Sequence, residues 1–185
     1  MVKKQKRKPG LKQSIAAAAY KKGMDLYFAK GDPDTALKYL MKAAKNGYAK
    51  AYGEIGIILN REKNKPDEAE EWFIKAERSD SLFPAARYEY GMLHYLEKDD
   101  WETGLKYLLE SAHQGYELAY GDIGSIIYMY RENIDEAEEW FRKAEASDCL
   151  LAPNAHDYGM LLWLGKDSWE ESFKYFRAVR TMPSL

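Results

Sequence analysis

AYGEIG at residues 51–56, followed by DEAEEWF at 67–73, returns as AYGDIG at 119–124, followed by DEAEEWF at 135–141. Both parts recur at an offset of 68, from Ala51 to Ala119 and from Trp72 to Trp140, so the unit is duplicated. Carried outward, the offset places Gly23, Gly91 and Gly159 in one series, with Gly56 and Gly124 between them. Successive glycines stand 33, 35, 33 and 35 residues apart, the length of a helix-turn-helix repeat. A glycine inside a helix costs about 0.5–1 kcal/mol relative to alanine. Five at regular spacing predict close approach of a neighbouring helix.

Helix signals fill the space between the glycines. Ser14 is the expected cap of a first helix through IAAAAYKKGMDLYF to about Lys30, a strong helix former because of its alanines. Gly31-Asp32-Pro33 ends it and starts the next, with Asp32 as N-cap and Pro33 at the first helical position. Gly47 reads as a left-handed stop. Asp67 with Glu70, Asp135 with Glu138, and Ser168 with Glu171 have capping-box spacing, and Asp99 or Asp100 should cap another helix. Further first helices are expected over about 49–59, from Ala85, from Leu118 and after Pro153. Ala69, Trp72, Phe73 and Ala76 stand at i, i+3, i+4 and i+7, one apolar stripe, repeated by Ala137, Trp140, Phe141 and Ala144. The EAEE clusters between them read as a solvated helix face, with Glu138 to Arg142 and Glu139 to Lys143 as supporting pairs. No alternating strand pattern interrupts. The expected architecture is all-α, an α-solenoid of about five antiparallel helix hairpins with a 68-residue double-repeat period, over residues 13–185 behind a basic tail at 1–12.

Composition narrows the function classes. Hydrophobic residues at 46% and charged residues at 31% fit a soluble globular chain, and no apolar run approaches the roughly 20 residues of a membrane span. The single cysteine, Cys149, excludes an intramolecular disulfide framework, and with no signal-peptide apolar region the chain is expected to be cytoplasmic. Net charge is −2, but five positive charges sit at Lys3, Lys4, Lys6, Arg7 and Lys8. The remainder carries 23 basic against 30 acidic side chains, a balance that disfavours nucleic-acid binding except through the tail. His94, His113 and His156 form no local metal-ligand motif, and no HExxH, CxxC, P-loop or GxSxG is present. No cofactor, metal or catalytic residue is expected.

The stretches AAKNGYAKAYGEIG at 43–56 and SAHQGYELAYGDIG at 111–124 resemble the Sel1-like repeat, a relative of the tetratricopeptide repeat. A helix-ending glycine is followed four residues later by Ala and nine later by Gly, and DEAEEWFIKAE and DEAEEWFRKAE are similar to that family's second helix. The family's Gly-rich loop is mostly absent, and its Tyr three residues after the helix glycine is replaced by Leu26, Leu59, His94, Ile127 and Leu162. The resemblance implies a right-handed superhelix of hairpins that binds another protein or peptide and is not a catalyst.

In such a scaffold the first helices would line a concave surface. Three rows fall there: Tyr20, Tyr88 and His156; Met24, Met92 and Met160; Tyr27, Tyr95 and Trp163. Within each helix they stand at i, i+4 and i+7, on one face, with Asn60 and Tyr128 at the third position of the alternate helices. Aromatic rings and thioethers suit the capture of a peptide or helix, and equally suit packing as core; both readings stand open here. Trp101 and Trp169, at the starts of second helices, are expected to be buried at turns. A toxin-neutralising inhibitor, or a nuclear or nucleic-acid factor acting through the tail, are the alternative functions.

Overall fold

The structure, a computed structural model, describes residues 10–181. The basic run at residues 3–8, and the tail functions attached to it, lie outside the described residues. Among the described residues ten α-helices follow in order: α1 (Leu11–Lys30), α2 (Pro33–Lys45), α3 (Lys50–Arg61), α4 (Pro66–Arg78), α5 (Pro84–Glu97), α6 (Trp101–His113), α7 (Ala119–Ile126), α8 (Ile134–Ala146), α9 (Ala152–Met160) and α10 (Trp169–Thr181). Among the described residues there is no strand. The chain forms two compact units, the first ending at Glu89 and the second beginning at Tyr90, inside α5. In the first, α1 packs on α2, α2 on α3 and α3 on α4; in the second, α6 packs on α7, α7 on α8 and α9, and α9 on α10.

One packing rule recurs in all five hairpins. A Cβ placed on Gly56 would stand 2.5 Å from the Phe73 ring, on Gly124 2.8 Å from Phe141, on Gly159 2.7 Å from Phe176 and on Gly23 2.8 Å from Leu40. Gly91 would meet the Gly104 carbonyl oxygen at 3.0 Å and Leu108 at 3.2 Å. The receiving side chain always comes 17 positions after its glycine. Each of these five glycines is therefore a seat for one large residue of the second helix, and Phe73 and Phe141 are fully buried in theirs. Burying such a ring contributes about 1.5–3 kcal/mol, more than the glycine costs its helix.

A second rule sets the turns. The backbone is left-handed at Gly31, Asn64, Asp99, Glu132 and Asp167, each 8 residues after a seat glycine, and again at Gly47, Asp80, Gly115 and Asp148, each 7 after a seated side chain. Seven of these nine positions, counting four Asp and three Gly, use small residues that tolerate the conformation, and Asn64 makes an eighth. Glu132 is the exception.

Several expected helix starts move. α1 begins at Leu11 rather than at Ser14, because the Gln13 side chain accepts from the Gly10 N–H and the Gly10 carbonyl already accepts from Ser14 N. Asp32 and Asp100 cap α2 and α6, accepting from Thr35 N at 3.0 Å and Thr103 N at 3.1 Å. Asp67 and Asp135 cap nothing; they lie inside their helices. α8 is capped by Asn133, which accepts from Glu136 N and donates to its carboxylate, whereas Lys65 precedes α4 without a side-chain cap. α9 starts at Ala152, so Pro153 falls in its first turn.

The apolar stripes of the two DEAEEWF helices build the same contacts. Ala69, Phe73 and Ala76, like Ala137, Phe141 and Ala144, are buried. Trp72 and Trp140 are only half-buried, which corrects their place in the stripe. Tyr52 lies 5.8 Å from Trp72 and Tyr120 5.7 Å from Trp140, with Lys75 and Lys143 over the indoles at 4.2 and 3.9 Å.

Candidate partner-binding surface

All ten candidate side chains lie on first helices or on the turns that extend them, and none is fully buried. That placement separates them from the core, which is built from the seats and the alanine and isoleucine positions beside them.

In the first unit, α1 holds Tyr20, Met24 and Tyr27 half-buried on one face. Tyr20 donates to Glu54 Oε1 at 3.1 Å, and its ring stands 4.8 Å from that of Tyr48. Tyr27 donates to Glu62 Oε1 at 3.0 Å. Burial, and then the bond to Glu62, push the Tyr27 phenol up to about 12. Burial followed by the Glu54 charge raises Tyr20 further still. Both therefore stay neutral hydrogen-bond donors. Tyr88, on the α5 segment of this unit, is half-buried.

In the second unit Met92 and Tyr95 are half-buried on α5. Tyr95 meets Tyr130 edge-on at 6.2 Å, and Trp101 stacks on the Tyr130 ring at 5.3 Å and 15°. Burial, then the neighbouring Tyr130, push the Tyr95 phenol up to about 12. Tyr128 and Tyr130 belong to a π-helical turn, Ile127–Arg131, that continues α7; Trp163 belongs to another, Leu161–Gly165, that continues α9. Such turns carry one extra residue per hydrogen-bonded ring and aim side chains off the α-helical face. His156 and Trp163 are brought together by Phe176, whose ring lies 5.9 Å from the imidazole and 6.3 Å from the indole. Met160 is half-buried between them in sequence. Trp163, Trp169, Phe173 and Phe176 line an apolar cleft of about 390 Å³. Trp169 is 54% exposed, against the expectation of burial at the turn, whereas Trp101 is half-buried.

Sequence spacing missed Tyr130, Phe173, Phe176 and Glu54. The i, i+4 and i+7 spacing follows one face of the first helices; Tyr130 lies two positions past Tyr128 in the π turn, and Phe173 and Phe176 lie on a second helix. Phe176 carried a signal in its 17-residue separation from Gly159.

The remaining polar groups have structural partners. Glu138 binds Arg142 at 2.6 Å and Lys166 at 3.1 Å, Glu68 binds Lys65 at 2.7 Å, and Glu71 reaches Lys75 at 3.9 Å. His94 Nδ1 stands 3.6 Å from Asp100 Oδ2, and His156 Nδ1 is 3.5 Å from Asp157 Oδ1. The Cys149 thiol donates to the Ser147 carbonyl and is pushed up by burial, away from thiolate character. Among the described residues no group of three His, Cys, Asp or Glu could hold a metal ion, and no helix is long and apolar enough to cross a membrane.

Known proteins give the same fold. The tetratricopeptide repeat family matches residues 16–46, the α1–α2 hairpin. No curated protein matches the chain by sequence. Among solved structures, PilF of Pseudomonas aeruginosa superimposes with a TM-score of 0.74 at 20% identity, over 94% of this chain and 79% of that one. YrrB, described as a tetratricopeptide protein with an unusual peptide-binding site, gives 0.67 at 20% identity over 89% and 84%. MamA of Desulfovibrio magneticus RS-1 gives 0.66 at 21% identity over 93% and 95%. The chain is thus an all-helical repeat protein with the fold of the tetratricopeptide-type solenoids.

Proposed function

We propose that this chain is a non-catalytic interaction scaffold, cytoplasmic and Sel1-like in subtype, that binds a protein or peptide through the first-helix side chains Tyr20, Met24, Tyr27, Tyr88, Met92, Tyr95, Tyr128, His156, Met160 and Trp163. The observation that carries this reading is the half-burial of the rows. Large aromatic and thioether groups are held at fixed positions by neighbours such as Glu62, Tyr130 and Phe176, yet retain open surface; Trp163 is 50% exposed. Ordered rings with part of their surface free lose little conformational entropy on binding, which suits them as anchors. The peptide-binding description of YrrB is in keeping with this use of the fold.

Site-specific photo-crosslinking tests it. A benzophenone amino acid placed at Tyr95 or Trp163 is expected to give a discrete protein adduct in the native lysate, and the same group at the exposed second-helix positions Glu71 or Glu139 is expected to give none. Adducts from the second-helix positions alone would reverse the assignment.

A further inference from the structure

In the first unit a cleft of about 430 Å³ opens between Tyr20 of α1, Lys50 and Glu54 of α3, and the turn at Ser81, Leu82 and Phe83. Glu54 is 9% exposed and forms part of its lining. Its Oε1 accepts the Tyr20 hydroxyl at 3.1 Å. Among the described residues no lysine, arginine or histidine stands within ion-pair distance of its carboxylate, and no donor reaches Oε2. The other buried glutamate of this unit, Glu89, is 5% exposed and has its counter-ion in Arg61. A carboxylate withdrawn from water without a cation is unfavourable. Burial accordingly raises its pKa, a shift that the Tyr20 hydrogen bond only partly opposes.

The walls favour a cation too. A Cβ on Gly53 would stand 2.6 Å from the Phe83 ring, so that ring lies directly on the α3 backbone beside Glu54. With Tyr20 it gives the cleft two aromatic side chains, a residue type whose ring quadrupole attracts cations. Buried Leu82 offers apolar surface for a methylene stem. Asp80 adds a second carboxylate in the lining. Lys50 is the only basic residue there; it is exposed and stands four positions before Glu54 without closing on it.

We infer that this cleft seats the ammonium group of a lysine side chain from the bound protein, with Glu54 as counter-ion and Tyr20 and Phe83 as flanking rings. The inference rests on the scaffold reading only in taking the ligand to be a protein. Lysine fits better than arginine because Tyr20 already occupies one carboxylate oxygen. A guanidinium gains most from two parallel bonds to both oxygens, whereas an ammonium is a point charge that one free oxygen satisfies.

The test is an NMR titration of the full chain, following the Glu54 side-chain carboxyl carbon and the Tyr20 ring. The probes are the capped tripeptide Ac-Ala-Lys-Ala-NH2, its norleucine analogue and putrescine. The lysine peptide is expected to bind with a millimolar dissociation constant, to move both signals and to lower the Glu54 titration midpoint. The norleucine analogue should leave them in place, and Glu54→Gln, checked for fold by circular dichroism, should weaken binding at least tenfold. Lys50→Ala is expected to leave binding equal or tighter. Equal responses to lysine and norleucine, or lysine binding retained by Glu54→Gln, would overturn the inference. So would binding seen only in Lys50→Ala, which would make Lys50 the resident counter-ion, and putrescine binding tighter than the peptide, which would point to a free amine. Loss of this effect alongside intact crosslinking at Tyr95 and Trp163 would sink the lysine site and leave the scaffold standing; lysine binding without crosslinking at those positions would sink the first-helix rows as the docking surface and leave the cleft.

Discussion

Glu132 holds φ at 51°, where every equivalent turn position in the chain has Gly, Asn or Asp. A left-handed conformation costs an ordinary L-residue roughly 1–2 kcal/mol. Glu132→Gly or Glu132→Asn should therefore stabilise the second unit by up to about 1 kcal/mol, read as a raised denaturant midpoint; Asp99→Gly, already at a tolerant residue, should gain less. Glu54 is withdrawn from water with Tyr20 as its hydrogen-bond partner. Its carboxyl is raised above its unfolded value by burial, so its contribution to stability is present below the unfolded pKa and is lost as pH rises through the folded one. Glu54→Gln should thus raise the melting temperature near pH 7, by about 0.5–2 kcal/mol in stability, and change little near pH 4. A variant less stable than the parent at pH 7 would show that the carboxylate is better satisfied than its hydrogen bonds indicate. Neither residue drew notice in the sequence. Backbone handedness at a glutamate and the burial of one glutamate among the many in this chain have no local signature.

At the scale of the helix, the glycine seats explain why the hairpins were legible. Seat spacing is a sequence property, and a regular series of unfavourable glycines shows through any drift of the surrounding surface residues. Gly56→Ala should improve helix propensity by about 1 kcal/mol yet destabilise the protein overall by about 1–3 kcal/mol, because the new methyl meets a ring that is enclosed on all sides. In a Phe73→Ala background the same change should be neutral or stabilising, a coupling that a double-mutant cycle in urea would measure. Helix starts were less legible, since Asp-x-x-Glu spacing occurs by chance in so acidic a helix. Asn133→Ala should lower stability by about 0.5–2 kcal/mol, whereas Asp67→Ala, which removes no cap, should lie within about 0.5 kcal/mol of the parent. The π-helical turns at Ile127–Arg131 and Leu161–Gly165 left no trace in the hydrophobic pattern, and Tyr130 lies in the first of them, beyond the predicted Tyr128.

At the scale of the whole chain, five hairpins with seats and turns at constant separations amount to a repeat fold, which structures only 20–21% identical reproduce. Repetition was readable because each hairpin solves the same packing problem with the same few residues. The proposed binding surface was not, because its contacts arise between hairpins: Tyr20 meets Glu54 and Tyr27 meets Glu62 from 34 and 35 residues away. Which side chains keep open surface depends on those meetings. The proposed function resides in this first-helix surface. It is tested most directly by affinity capture from the native lysate, comparing the intact chain, a chain lacking residues 1–9 and the Tyr95→Ala/Trp163→Ala double variant, with melting of each recorded in parallel. One specific protein should be retained by the first two and lost from the third, with the third melting within a few degrees of the parent. Retention by the double variant, or loss on removing residues 1–9 alone, would contradict it.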